Sequence, residues 1–348
     1  MTRVRASDVR PARPPGVAEG SVVTVLRVPP EVAGQRMDVF VQSQLKRTSR
    51  TRAQQIVRAS AYDGGGRKLV PNDRVRAEQQ VLLWRPAWDE APPQVQVPVV
   101  YEDEHLMAVD KPALMPVHPT ARYHKSTLIK ILQAARPDVA FLSLGHRLDR
   151  ETSGVMLVSK TRACDRALKK QLQARRDVDK TYIAITWGVP DRGDGARTFR
   201  YERAMLLDPD SALRVKMCVS DRPEALRAST VFDVEAVRSG PDPASSRGRR
   251  PYALVRCTLE TGRQHQIRLH LASLGAPIVG DKLYGPDERA FARSADGVLT
   301  TDDAAMLELP RHALHAARLA LAHPITGAPL VVEAQLPEDM RLFWEGLV

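Results

Sequence analysis

The sequence is poor in aromatic residues and in cysteine, and it contains no long apolar run. Phe, Trp and Tyr make up 5% of its 348 residues, and its three cysteines are Cys164, Cys218 and Cys257. Three widely separated cysteines argue against a disulfide framework and a CxxC metal site. Because no apolar run reaches roughly 18 residues and residues 1–20 have no apolar stretch, we expect neither a membrane-spanning helix nor a secretory signal. We therefore expect a cytoplasmic protein without a membrane partner.

Positive charge is abundant and is concentrated near the start of the chain. The sequence has 52 Lys and Arg against 41 Asp and Glu, a formal net charge of +11. Residues 1–86 carry +9 of this charge (16 basic against 7 acidic residues), and residues 87–348 carry the remaining +2. An otherwise ordinary composition, 43% hydrophobic and 27% charged, excludes collagen-like, coiled-coil and wholly disordered chains. The basic excess indicates nucleic acid as the leading partner.

Composition divides the chain into four segments. Residues 1–20 are rich in Arg and Pro without apolar periodicity, which predicts a disordered basic arm. Helical spacing after Gln35 and after Ser49 predicts two short helices, followed by short strands, in a small domain at 21–86. The Pro-rich stretch 87–97 predicts a linker, and residues 98–348 predict a large second domain.

Basic residues cluster where the two predicted helices meet. The segments Gln-Arg-Met-Asp-Val-Phe at 35–40 and Ser-Arg-Thr-Arg-Ala-Gln at 49–54 resemble the small αL RNA-binding domain named after ribosomal protein S-four. The resemblance implies that the junction contacts the RNA backbone, whereas the simpler interpretation is a solvated basic face. The basic residues at the junction are Lys46, Arg47, Arg50 and Arg52.

The large domain contains more predicted strands than helices. Apolar spacing predicts helices at 161–176 and 265–274, the second ended by Gly275. The segment 238–251, which contains Ser, Gly and Arg, predicts an exposed loop. Strands that do not alternate strictly with helices favour an α+β fold with a large mixed or antiparallel sheet and flanking helices. Short apolar segments predict strands at 99–101, 106–109, 155–158, 182–185, 231–234 and 254–257.

The densest chemistry lies at 146–154, His-Arg-Leu-Asp-Arg-Glu-Thr-Ser-Gly. Here Asp149 stands between Arg147 and Arg150, and neighbouring positive charge keeps a carboxylate ionised. An ionised carboxylate can act as a nucleophile or as a base. Glu151 would share its face in an extended segment, which also allows a glycosidase with paired carboxylates. A structural cluster of ion pairs is the third interpretation.

This nonapeptide closely resembles the signature of the RluA-type pseudouridine synthases, and further segments match that family in the expected order. Among them are Asp-Lys-Pro at 110–112, Lys-Thr-Tyr at 180–182 and Thr-Gly-Arg-Gln-His-Gln-Ile-Arg at 261–268. The family acts on RNA, and members that modify large-subunit ribosomal RNA often carry an N-terminal αL domain. The remaining matches lie at 101–103, 117–119, 280–285, 314–316 and 323–324.

The resemblance implies a reaction in which the glycosidic bond of a uridine breaks, the uracil rotates, and a carbon–carbon bond forms from C5. It implies that Asp149 is the essential carboxylate, that Tyr182 stacks on the base and that Arg263 pairs with Asp149. Asp149 could attack the sugar or remove a sugar proton, and the sequence does not choose between these roles. Arg147 and Arg150 would orient the loop or meet phosphates, and Ile267 would line the pocket.

The family requires neither a cofactor nor a metal, and His312 with His315 lacks the partners of a zinc site. Lys169 and Lys170, on the predicted helix at 161–176, either contact RNA or form a solvated face. The leading function is therefore an RNA pseudouridine synthase, acting on ribosomal RNA or, as the alternative, transfer RNA, with no obligate protein partner. A non-catalytic RNA-binding or ribosome-assembly protein of the same fold and a glycosidase are the other hypotheses.

Overall fold

The computed structural model consists of two compact units, Met1–Glu90 and Ala91–Val348. It describes residues 11–45, 48–86, 95–119, 123, 125–174, 178–213, 215–242 and 248–348. The division falls within the segment 87–97 that the sequence predicts as a linker. No helix within these described ranges has both the length and the apolar character needed to cross a membrane.

The first unit packs two helices against a three-stranded antiparallel sheet of order β1-β3-β2. The structure confirms both helices predicted from the apolar spacing. The Ser49 side chain caps the second helix by accepting a hydrogen bond from the backbone N–H of Arg52. Phe40 and Val57 are among the residues whose burial forms the core of this unit. The elements are β1 (Val22–Arg27), α1 (Met37–Gln44), α2 (Arg50–Ser60), β2 (Ala61–Asp63) and β3 (Gln80–Arg85), with a 3-10 turn at Pro30–Val32.

Residues 11–20 form turns and contain no helix or strand. The backbone N–H of Val17 donates to the Pro14 carbonyl at 3.3 Å, and that of Ser21 donates to the Ala18 carbonyl at 3.2 Å. Pro14 is buried beside Gly66. Proline fixes φ and lowers the entropy lost on ordering, so a segment without a helical or strand period can still form defined turns. Residues 1–10 lie outside the described residues.

The second unit contains a ten-stranded mixed sheet with helices around it, which confirms the α+β fold class. The main path is β4-β5-β7-β14-β8-β13-β12-β9, with β15 beside β14 and β6 beside β7. The pairing of β7 with β14 is parallel, whereas the other pairs in this sheet are antiparallel. A separate two-stranded sheet joins β10 to β11.

The strands are β4 (Val99–Glu102), β5 (Leu106–Lys111), β6 (Ser143–Leu144), β7 (Ser153–Ser159), β8 (Val178–Trp187), β9 (Thr198–Glu202), β10 (Met205–Leu207), β11 (Met217–Val219), β12 (Ser229–Pro241), β13 (Arg249–Leu259), β14 (Leu314–Ala322) and β15 (Pro329–Glu333). The helices are α3 (Leu128–Ala135), α4 (Arg162–Ala174), α5 (Gln266–Ser273), α6 (Arg289–Asp296), α7 (Thr301–Leu307) and α8 (Glu338–Glu345). The six strand segments and two helices predicted for this domain all coincide with elements of the structure.

The loop predicted at 238–251 is much shorter in the structure. Strand β12 runs to Pro241 and β13 starts at Arg249, with Ser239 opposite Pro251 and Gly240 opposite Arg250. Tyr252 and the C-terminal Leu347 pack closely over Gly240. This tertiary contact overrides the weak strand propensity of Gly, Ser and Pro.

Strand β7 is buried along its whole length between β5 and β14 and leads directly out of the 146–154 segment. Gly154 has φ +111°, and a Cβ at this position would lie 2.2 Å from the Ala316 carbonyl oxygen of the parallel neighbour β14. Only glycine therefore allows the two backbones to approach this closely.

We expect Gly154→Ala to lower the free energy of unfolding by at least about 3 kcal/mol, because backbone atoms cannot move aside as a flexible side chain can. Gly262→Ala is the matched control, since a Cβ at that position meets nothing within 4 Å. Denaturant unfolding of the two variants measures the difference. Equal stabilities would contradict the close approach of β7 to β14.

Candidate active site

Asp149 lies in the turn between β6 and β7, with 24% of its side chain exposed. The backbone N–H of Thr152 donates to the Asp149 carbonyl at 3.2 Å, which closes the turn. The Thr152 hydroxyl lies 2.8 Å from Nε2 of His312, so the turn is also held by the segment that leads into β14. The carboxylate is thus fixed at the edge of the sheet, where β7 and β14 start in parallel.

Arg268 is the principal partner of Asp149. Its Nη1 donates to Oδ2 of Asp149 at 2.9 Å, while Nε and Nη2 donate to the two oxygens of buried Asp281 at 2.7 and 2.8 Å. Burial by itself would raise the pKa of Asp149, but the charge and hydrogen bond of Arg268, together with smaller effects of His265 and His312, outweigh burial and hold that pKa below its usual value. Asp149 is therefore ionised at neutral pH.

The expected pair between Arg263 and Asp149 is wrong, because Arg268 occupies that place. Nε of Arg263 instead donates to the Arg227 carbonyl at 3.2 Å. His265 has a left-handed backbone (φ 58°) and redirects the chain before α5, so that Arg268 in the first turn of this helix faces Asp149. Arg263 still lines a small cavity together with Asp149.

Sequence reasoning also missed His265. Its Nδ1 lies 3.0 Å from Oη of Tyr284, which accepts the backbone N–H of Met217 at 2.9 Å. Burial, reinforced by the charge of Arg268, lowers the His265 pKa to about 4, so the imidazole is neutral at neutral pH. Nε2 of His265 faces Oδ2 of Asp149 at 3.8 Å.

Tyr182 lies on β8 between β13 and β14, and only 8% of its surface is exposed. Burial, with a smaller effect from the charge of Asp149, raises the pKa of its hydroxyl, which therefore stays protonated. A small cavity of about 80 Å³ is lined by Tyr182, Ile267, Leu314 and Asp149. An aromatic ring, two aliphatic side chains and one carboxylate are a suitable lining for a flat polar ring such as a pyrimidine.

Glu151 belongs to a cluster of ion pairs at the floor of a second cavity. Nζ of Lys282 donates to both Glu151 oxygens at 3.0 and 3.1 Å, and the backbone N–H of His312 donates to Oε2. Arg150 donates to Oε1 of Glu151 and to Oη of Tyr123. Glu151 thus balances buried positive charge, and the contacts give it a structural role instead of that of a second glycosidase carboxylate.

Lys111, at the end of β5, is fully buried. Its ammonium donates to the carbonyls of Pro112, Met115 and Arg150 at 2.8, 3.0 and 3.2 Å. Burial, followed by the charge of Arg311, lowers its pKa to about 7. Lys111 therefore ties the end of β5 to the turn that carries Asp149.

The other predicted RNA-binding residues are on the surface. Arg147 is exposed and lines both cavities. Lys169 and Lys170 are exposed on α4, where Lys169 pairs with Asp165. In the first unit, Arg50 pairs with buried Asp38, and Arg52 donates to Gln55. Lys46 and Arg47 lie outside the described residues.

Within the described ranges, no group of three or more His, Cys, Asp or Glu side chains could hold a metal ion. The two histidines considered for zinc are engaged elsewhere. His312 contacts Thr152, and Nδ1 and Nε2 of His315 lie 2.9 Å from the Ser153 hydroxyl and 3.1 Å from the Ala334 carbonyl.

Comparison with known proteins identifies the family of this chain. Residues 105–273 match the family model for RNA pseudouridylate synthase. The chain is 33% identical to the ribosomal large subunit pseudouridine synthase D of Xanthomonas campestris over 92% of its own length and 91% of that protein. The protein of the same name from Pseudomonas aeruginosa is 34% identical over 90% of this chain and 92% of that protein.

Solved structures agree with these sequence matches. Human RNA pseudouridylate synthase domain containing 4 matches 70% of this chain and 90% of its own, with 26% identity and a TM-score of 0.51. The chain therefore belongs to the RNA pseudouridine synthase family and is an isomerase, which confirms the resemblance seen in the sequence. This assignment excludes the glycosidase hypothesis.

For a reacting Asp149 carboxylate, we expect the acid limb of kcat/KM in the native enzyme to lie below the pH at which an ordinary aspartate titrates, because the pKa of Asp149 is lowered. Removing the guanidinium in Arg268→Gln raises that pKa, since the largest effect opposing burial is lost, and the limb moves to higher pH. The pH profile of pseudouridine formation measures the shift. Arg318→Gln, which removes a half-buried cation paired with Asp179, is the control and should leave the limb in place. An acid limb at the same pH in the native enzyme, in Arg268→Gln and in Arg318→Gln would contradict the pairing of Arg268 with Asp149.

Proposed function

We propose that this enzyme isomerises one or more uridines of large-subunit ribosomal RNA and that Asp149 is its essential carboxylate. The supporting observation is an identity above 30%, over about nine tenths of both chains, to relatives named ribosomal large subunit pseudouridine synthase D. A ribosomal RNA substrate would also place the enzyme in the cytoplasm. Transfer RNA is the alternative substrate, and mapping the modified uridines distinguishes the two.

Asp149 would act on the sugar of a uridine flipped out of its stack. Flipping costs a few kcal/mol, which contacts in the pocket must offset. Tyr182 and Ile267 would hold the uracil between an aromatic and an aliphatic surface. The ionised carboxylate can attack C1′ or remove a sugar proton, and either role requires the negative charge that Arg268 maintains.

The remaining steps need a closed pocket. The N1–C1′ bond breaks, the uracil rotates in place, and C5 bonds to C1′; the proton leaving C5 balances the one that N1 gains. No atom is lost, so the small cavity would have to keep both the detached uracil and the sugar that carries C1′ away from water. Its aromatic and aliphatic walls favour that exclusion.

Positive side chains outside the pocket would position the RNA. We infer that exposed Arg147 contacts a phosphate next to the target, while Arg150 orients the loop through Glu151 and Tyr123. Lys169 and Lys170 would extend this contact along α4. In the first unit, the junction of α1 and α2 would bind the RNA backbone through Arg50 and Arg52, with Lys46 and Arg47 beside them in sequence.

Asp149→Ala should reduce pseudouridine formation by roughly a thousandfold or more, because the reacting carboxylate is removed. RNA affinity should remain nearly unchanged, since one carboxylate contributes little to phosphate binding. The two measurements are single-turnover pseudouridine formation and equilibrium RNA binding. Asp138→Ala, which removes an exposed carboxylate on another loop, should retain full activity. Normal turnover by Asp149→Ala would disprove the catalytic assignment.

The substrate is tested by mapping pseudouridines at nucleotide resolution in cells with and without the gene. The proposal expects one or a few sites in large-subunit ribosomal RNA to disappear and to return with the native gene but not with Asp149→Ala. Loss of sites only in transfer RNA would overturn the ribosomal assignment. Free uracil among the reaction products in vitro would indicate that the pocket fails to retain the base.

Replacing Arg50 and Arg52 with Gln should weaken RNA binding and flatten its dependence on salt. Removing one cation that touches a phosphate lowers the slope of log affinity against log salt by about one. Arg27→Gln is the control, because it removes an exposed charge from β1 and not from the helix pair. A slope equal to that of the native protein would rule out phosphate binding at the junction.

A further inference from the structure

The second cavity is far larger than the one beside Tyr182. It has a volume of about 430 Å³, in the range of small-molecule sites. It shares Asp149, His265 and Arg268 with the smaller cavity and extends from them to α6. Any molecule held here would therefore lie directly beside the reacting carboxylate.

One wall of this cavity is aromatic and apolar. It consists of Phe291, Ser294 and Ala295 of α6. Phe291 is half-buried and packs against a core cluster that includes Leu283 and Tyr284. The phenyl ring is thus supported from behind while it lines the cavity, as a stacking surface requires.

The floor offers polar groups close to this apolar wall. Glu151 has 12% of its side chain exposed, Lys282 5%, and both line the cavity with His312. Glu151 accepts from Lys282, Arg150 and the backbone N–H of His312, and Lys282 also donates to the Pro310 carbonyl, so both groups are satisfied within the protein. Burial, followed by the charge of Arg268, lowers the His312 pKa to about 4, so this ring is neutral. The aromatic wall is therefore the surface on which a nucleobase can stack.

Helix α6 is held firmly in place. Nε of Arg293 donates to Oδ2 of Asp303 at 2.7 Å and Nη2 to Oδ2 of Asp287 at 2.9 Å. Asp303 also forms a capping box with Thr300 at the start of α7. The wall is therefore already formed before any ligand binds, which lowers the entropy lost on binding. It also lies outside the residues matched by the family model, 105–273.

We propose that the larger cavity is a second nucleotide subsite, which binds the nucleotide adjacent in the chain to the uridine at Asp149. Its base stacks on Phe291. This inference rests on the proposed function, because it requires an RNA chain at Asp149. The larger cavity has the volume of a small-molecule site, which admits a nucleotide. The subsite makes turnover depend on the base next to the target.

The test couples a protein change to a substrate change. The substrates are short RNA hairpins that contain the mapped uridine, with either the normal base or an abasic ribose at the 5′ or the 3′ neighbour. For the native enzyme, removing the base at one of these positions should lower kcat/KM roughly tenfold, as expected for one stacked base. Phe291→Ala should lower kcat/KM about equally on the intact hairpin and show no further loss on the abasic one.

Two further variants keep the test interpretable. Phe291→Leu preserves packing against Leu283 but removes the aromatic face, so it should reproduce the effect if Phe291→Ala is unstable. Val298→Ala, an exposed position between α6 and α7, should retain the native sensitivity to the abasic ribose. If the abasic ribose lowers kcat/KM by the same factor in the native enzyme and in the Phe291 variants, the subsite is overturned. It is also overturned if the abasic ribose leaves kcat/KM of the native enzyme unchanged at both neighbours. If the mapped uridine proves to lie in another RNA, the ribosomal assignment fails, but the same cycle still tests the subsite.

Discussion

The site depends on one guanidinium, that of Arg268, which is shared between two carboxylates. It joins Asp149 of the β6–β7 turn to Asp281 of the segment after α5, and 7% of its side chain is exposed. A buried charge is costly unless it is paired and hydrogen-bonded, and here the backbone N–H groups of Leu283 and Tyr284 complete the shell of Asp281. Removing Arg268 would leave two negative groups facing each other at low dielectric. On the proposed function, stability and catalysis are therefore coupled in the same three side chains.

The sheet determines where Asp149 lies relative to the other groups of the site. Strands β7 and β14 lie in parallel, close together at Gly154, so their starting ends bring Asp149 and His312 to one edge. Lys111 binds the end of β5 to the same edge through the Arg150 carbonyl. Because these segments are far apart in sequence, the position of the Asp149 carboxylate depends on the assembled sheet and not on the 146–154 motif alone.

Local sequence patterns predicted the helices and the position of the 146–154 segment well. They did not predict contacts between residues that are far apart in the sequence. Apolar spacing located α1, α2, α4 and α5, and the motif 146–154 placed Asp149 in the pocket. The expected pairing of Arg263 with Asp149 failed because a left-handed, non-glycine residue, His265, turns the chain before Arg268, and no local signal predicts such a turn. Asp281 lies in another segment that matches the family, 280–285, and this was the available clue to the carboxylates that pair with Arg268. Strand β12 was underestimated because its last residues gain their stability from Tyr252 and Leu347, not from their own propensities.

Residues 87–348 are nearly neutral, with a net charge of +2, although several cations lie around Asp149. Arg268 pairs with Asp149 and Asp281, and Lys282 pairs with Glu151, so these cations are matched by carboxylates. The pair with Arg268 contributes to keeping Asp149 ionised. On the proposed function, affinity for the RNA backbone then comes mainly from the first 86 residues, which carry +9, and Arg147, Lys169 and Lys170 add contacts from the second unit. Binding strength therefore rests mainly on the first part of the chain, and base selection rests on the pocket of the second.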